Sequence, residues 1–226
     1  ALRFAEGKRA KTDRLDAGLI ARFALMMDDA ARPIPNAKAY EIKALSTRRR
    51  QLVEMAAAEK VRLKQALDAV VATSCRQMIA LLVAERGRVG AQLAAELAAV
   101  DGGAECDALL QSIPGIGPAT AMALRADLPE LGQLDRKAVA HLAGLARHPN
   151  QSHTRTGQAH SGGDRPCARA ALYMAAISAD KGFIAECHAM RTAGKPAKVA
   201  LIAVARKLVV AANAIVKFGQ PWQKPA

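Results

Sequence analysis

Two aspartates three residues apart, Asp13 and Asp16 in Lys11-Thr-Asp-Arg-Leu-Asp-Ala17, could both reach one hard cation if their segment is helical. Residues at that spacing share a helix face about one turn apart. Mg²⁺ suits such a pair, with water and substrate phosphate supplying its other oxygen ligands. The same acids would equally complement the positive end of a helix dipole. A second candidate is the polar stretch His148-Pro-Asn-Gln-Ser152-His-Thr-Arg155-Thr-Gly-Gln-Ala-His160-Ser161-Gly-Gly-Asp164-Arg165, followed by Arg169. A serine among arginines could attack a phosphodiester, with the guanidinium groups stabilising charge on the phosphoryl oxygens. A solvated loop that binds phosphate without chemistry fits the same residues. His148, His153 and His160 share the stretch with one acid, Asp164, which is a poor ligand set for a metal.

Ser112-Ile-Pro-Gly115-Ile-Gly117-Pro118 has the hydrophobe-Pro-Gly-hydrophobe-Gly pattern of a helix-hairpin-helix turn. There Gly115 and Gly117 would let backbone amides approach a DNA phosphate. A tight structural turn is the other reading. Arg48, Arg49 and Arg50, with Lys60, Arg62 and Lys64 further on, place positive charge along one helical segment. Such a cluster suits a nucleic-acid backbone better than a merely solvated face, given the charge of the whole chain. Trp222 reads as an anchor of the core rather than a platform for bases.

These residues must be positioned by helices. The chain has 226 residues, 51% of them apolar and 3% aromatic, which excludes an all-β fold and favours closely packed helices. Lys plus Arg number 33 against 20 Asp plus Glu, a formal net charge of +13, and the scarcity of rings argues against single-strand recognition by base stacking. A reader of phosphate backbones remains. Cys75, Cys106, Cys167 and Cys187 are widely spaced, so neither a zinc site nor a disulfide framework is expected, and a reducing cytoplasm fits. No uninterrupted apolar run has the length of a membrane span, no leader-like pattern opens the chain, and no membrane partner is expected.

Thr12 before Asp13 predicts a helix start, with Leu15, Leu19, Ile20 and Phe23 at helical spacing. Arg32-Pro-Ile-Pro-Asn36 reads as a linker. From residue 37 to about 99 the pattern predicts a long helical hairpin or coiled coil. Its stripe runs through Ile42, Leu45, Leu52, Met55, Leu63 and Leu67, its bend falls near Thr73-Ser-Cys75, and Ile79, Leu82, Leu93 and Leu97 mark the second arm. Gly102-Gly103 marks a boundary, after which short helices alternate with glycine turns and His148–Asp164 forms one long loop. The expected segments are therefore 1–36, 37–101 and 102–226 in a mostly α chain.

The order of these motifs is more specific than any one of them. Lys-Thr-Asp-x-x-Asp-Ala, a basic hairpin, Ser-Ile-Pro-Gly-Ile-Gly-Pro and an Asn-x-x-Ser loop are followed by Arg169-Ala-Ala-Leu-Tyr-Met-Ala-Ala176 and Gly194-Lys-Pro-x-Lys-Val-Ala-Leu201. Over nearly the whole chain this resembles the serine-dependent DEDD transposases of bacterial insertion sequences, whose members include bridge-RNA-guided ones. The resemblance implies that 1–36 is the tail of a RuvC-like α/β nuclease domain, 37–101 the helical hairpin and 102–226 the serine-containing transposase domain. It implies Asp13 and Asp16 as the last two acids of a metal-binding tetrad, Ser152 as nucleophile with Ser161 as the fallback, and Arg155, Arg165 and Arg169 as phosphate ligands. Gln151 and His153 flank Ser152 where the family usually has glycine after its serine, and Asp164 intrudes in the glycine-and-arginine stretch.

About a hundred residues carrying the first two acids are expected upstream of Ala1, judged by usual domain length. Mg²⁺ is thus expected in the intact protein, and the chain by itself is expected to bind nucleic acid and to cleave strands poorly. The implied function is DNA transposition and recombination through a phosphoserine intermediate in the bacterial cytoplasm. The partners would be double-stranded DNA, a guide RNA and further copies of the chain as a dimer or tetramer. A noncatalytic nucleic-acid-binding scaffold is the alternative, and a junction-resolving nuclease without a serine step is a third reading.

Overall fold

The computed structural model describes residues 13–26, 36–152, 155–162, 165–179 and 181–223. The chain divides into two compact units, 1–38 and 39–226. In the first, α1 spans Asp13–Met26, starting where the Thr12-Asp13 pair predicts. Within that unit Ile20, Phe23, Leu25 and Met26 are exposed.

The second unit begins with two long helices, α2 (Ala37–Gln65) and α3 (Ala69–Ala98). Ile42 packs with Leu93 and Leu97, while Leu52 and Ala56 pack with Leu82 and Val89, and Leu45 lies against both clusters. Early residues of α2 meet late residues of α3, so the pair is an antiparallel hairpin. Its bend falls at residues 66–68, not at the expected Thr73-Ser-Cys75. Asp68 fixes it there by accepting from the amides of Val70 at 2.8 Å and Val71 at 3.2 Å, two donors that the new helix leaves open. Thr73 lies inside α3, where its hydroxyl is satisfied by donating to the Ala69 carbonyl at 2.8 Å. Leu67, expected in the buried stripe, lies in that turn and is fully exposed, and Met55 is 46% exposed.

Beyond the hairpin come α4 (Gly103–Gln111), α5 (Pro118–Asp127), α6 (Arg136–Leu142), α7 (Pro166–Ser178), α8 (Lys181–Thr192) and α9 (Ala197–Phe218). α9 is the central helix, touching α4, α6, α7 and α8. Its Ala200, Val204, Ala205, Leu208, Val209 and Ala212 are buried, and the alanines let neighbouring helices approach closely. By length and composition alone α9 could cross a membrane, but its apolar side is spent on this core with Leu110, Ile113, Leu124 and Leu172.

Polar ties hold the pieces together. Lys43 of α2 pairs with the buried Asp127 at the end of α5. Arg125 donates to the Leu97 carbonyl at 2.6 Å, capping the end of α3. Its Nη1 stands 2.9 Å from Asp107 Oδ2, an ion pair whose alignment falls short of a hydrogen bond. Buried Asn213 of α9 accepts from the Gly132 amide at 2.8 Å and donates to the Leu134 carbonyl at 2.8 Å, stapling the α5–α6 connection onto the core. Trp222 packs against the core and its amide donates to Ser112 Oγ at 2.8 Å, the anchoring role read from the sequence.

The stretch expected as one long loop is instead a two-stranded antiparallel ribbon, β1 (Arg147–Ser152) and β2 (Arg155–Ser161). The register shifts between His148 and Asn150, so Gln158 and Ala159 oppose Pro149 alone. Proline cannot donate to the ladder, which is where a bulge belongs.

Candidate nucleic-acid interface

Ser152 closes β1 directly opposite Arg155, the first residue of β2, at the connecting end of the ribbon. Ser161 stands at the other end, opposite Arg147. The two candidate nucleophiles thus occupy opposite ends of one hairpin, and Ser152 is the one paired with an expected phosphate ligand. His148 and His160 face each other across the ladder, whereas His153 and Asp164 lie outside the described residues.

β2 leads into α7, where Arg165 is the N-cap residue and Arg169 follows one turn later. Arg165 Nη2 donates to Glu130 Oε1 at 2.8 Å, so this guanidinium already holds a carboxylate. Glu130 was not singled out by sequence; it sits in an aperiodic connection that carries no signal of a partner. Arg169 Nη1 is buried without a hydrogen-bond partner, as is Glu130 Oε2. An unmatched buried donor on an arginine is the side chain's strongest claim to an anion.

Of the hairpin arginines, Arg50 donates to Glu54 Oε1 at 2.8 Å. That hydrogen bond is the main reason its pKa lies above the usual guanidinium value. Arg48 makes a long contact, 3.4 Å, to Gln51 Oε1. Arg49 is half-buried, and desolvation, then the charge of Arg86, lowers its pKa.

The two glycines of the Pro-Gly-Ile-Gly turn have different surroundings. Gly115 has φ +88°, and a Cβ there would come 2.6 Å from the Ala175 carbonyl oxygen and 2.7 Å from Ala179 Cα. Its missing side chain lets α7 end against the turn. Gly117 precedes Pro118 at the start of α5 and has open space around it. Asp13 is the first residue of α1 and Asp16 follows three residues on, half-buried and with an interaction of its own. Among the described residues no group of three or more His, Cys, Asp or Glu side chains could hold a metal ion.

Comparison with protein families gives two matches in chain order. Residues 1–72 match the DEDD transposase model of the IS110 type, described as a transposase. Residues 107–183, which include the ribbon and all of α7, match the family described as transposase IS116/IS110/IS902. These matches support an insertion-sequence transposase, and with it a DNA transposase or recombinase role and DNA as partner. No curated protein matches the chain closely.

Proposed function

We propose that the chain is part of a transposase that exchanges strands by phosphoryl transfer through a covalent phosphoserine link at Ser152. The serine oxygen forms a bond to phosphorus as the ester bond to the leaving sugar oxygen breaks. The serine proton passes to a base and the leaving oxygen takes up a proton. A hydroxyl of the second strand then attacks the phosphoserine, which releases the serine and rejoins DNA without an external energy source. The observation that carries this reading is the register that sets Ser152 opposite Arg155 on a ribbon running into the Arg165–Arg169 turn. Arg155 and Arg169 supply positive charge for the phosphoryl oxygens, while Arg165, occupied by Glu130, positions the turn.

Asp13 and Asp16 fit Mg²⁺ by donor chemistry, two carboxylates one turn apart to be completed by water and DNA phosphate. Bound there, the ion would neutralise phosphoryl charge. The acids and the serine act in a composite site, contributed by different subunits of a dimer or tetramer. Exposed Val61, Val70 and Leu81 on the hairpin favour such self-association. The backbone amides at Gly117 and the basic hairpin hold duplex DNA, and a guide RNA is a further partner in keeping with the net charge of +13. The setting is the bacterial cytoplasm, in keeping with free Cys75, Cys106, Cys167 and Cys187.

The test incubates the protein with supercoiled donor DNA, Mg²⁺ and guide RNA. A protein–DNA adduct that vanishes in Ser152→Ala supports the serine step. Metal-dependent cutting that survives Ser152→Ala and is lost in Asp13→Asn assigns a nuclease instead. Binding without adduct or cutting assigns a scaffold.

A further inference from the structure

The hairpin carries five arginines, Arg48, Arg49, Arg50, Arg86 and Arg88, around its middle, facing the two glutamates Glu54 and Glu85. Both acids are already engaged. Glu54 is taken by Arg50 at 2.8 Å. Glu85 receives Arg88 through both oxygens, Nε to Oε2 at 2.9 Å and Nη2 to Oε1 at 2.7 Å, and Arg48 adds its charge nearby. Among the described residues Arg49 and Arg86 have neither an ion pair nor a hydrogen bond.

Arg49 is also held in place. A Cβ on Gly90 of α3 would lie 3.5 Å from Arg49 Nε and 3.8 Å from its Cδ, so the guanidinium stem lies across the space that Gly90 leaves. Gly90 is one turn from Arg86 on the same face of α3, which sets Arg86 on the side of α3 that Arg49 lies across, near enough for its charge to act on Arg49. Beside them Leu52 and Val89 are buried together, which fixes the arms against each other. Burial, and secondarily Arg86, depresses the pKa of Arg49, the direction expected of a cation lacking its anion.

We infer that Arg49 and Arg86 form a preorganised two-arginine clamp for one phosphate, filled by a backbone phosphate of duplex DNA. The inference rests on DNA being the partner under the proposed function and identifies the residues through which the hairpin grips it. Like charges brought together without a carboxylate repel, and a bridging phosphate converts that repulsion into two charge-assisted contacts. Arg48, Arg50 and Arg88 are excluded from the clamp by their nearby acids.

The test is a fluorescence-anisotropy titration of the full chain with a short labelled DNA duplex over a series of salt concentrations. Arg49→Gln and Arg86→Gln should each weaken binding about tenfold and lower the salt slope by about one, whereas Arg191→Gln, which removes an equal charge from α8, should do neither. Gly90→Leu keeps every charge but fills the space under Arg49, and should weaken binding as Arg49→Gln does. Circular dichroism checks that each variant is folded. Wild-type binding with unchanged slope and affinity in Arg49→Gln, Arg86→Gln and Gly90→Leu would overturn the clamp and leave DNA as partner intact. Failure of the wild type to bind duplex DNA would remove both. Inorganic phosphate at matched ionic strength is the second arm. Displacement only at concentrations far above that of duplex phosphate assigns the clamp to nucleic acid, and displacement at equal phosphate concentration would overturn it in favour of a free anion.

Discussion

At the scale of single residues, the polar atoms that decide most are those whose partners lie far away in sequence. Asn213 answers two backbone groups of the α5–α6 connection from inside the core. Asn213→Ala leaves a buried amide and carbonyl unanswered, and should lower stability by about 2–4 kcal/mol in chemical denaturation. Asp135 is held below the ordinary carboxylate pKa by hydrogen bonds from the amides of Ala138, at 2.6 Å, and Lys137, at 2.7 Å. Its folded pKa lies under the unfolded one, so its contribution is full above the unfolded value of about 3.9 and is lost as pH falls through the folded value. The melting midpoint of the wild type should therefore drop more steeply over this acid range than that of Asp135→Asn, whose neutral side chain still caps α6. The aspartate pair and Ser152 were candidates from sequence because motif order marks them. Glu130 and Arg86 were not, because nothing local marks a residue whose meaning comes from a partner on another element.

At the scale of elements, sequence periodicity located the hairpin arms but misplaced their turn by several residues. The apolar pattern thins near Thr73, yet the buried stripe of α3 runs on one face through Cys75, Leu82 and Val89, and the true break is set by a cap at Asp68. Asp68→Ala should cost about 1 kcal/mol and speed amide hydrogen exchange in the first turn of α3. The ribbon escaped notice for a different reason. Its residues are polar on both sides, and alternation is visible only where one face is apolar. The Pro-Gly-Ile-Gly turn was legible as a turn between short helices, but not the different surroundings of its glycines. Gly115→Ala should destabilise by about 2–4 kcal/mol, combining a positive φ with a Cβ driven into α7. Gly117→Ala should fold normally, since nothing lies near that position, so any loss of DNA affinity in it reports on the α5 N-terminus.

At the scale of the whole molecule, composition alone pointed to a helical reader of phosphate backbones, and the family matches place transposase sequence at both ends of that reading. A net charge of +13 predicts DNA binding that weakens steeply with salt, whatever the duplex sequence. Chemistry is a narrower claim and depends on one hydroxyl. The most direct measurement is peptide mass spectrometry of the protein–DNA adduct after nuclease digestion. It should find the phosphoester on Ser152, with the adduct absent from Ser152→Ala and retained in Ser161→Ala. A phosphoester on Ser161, or an adduct undiminished in Ser152→Ala, would contradict the serine assignment.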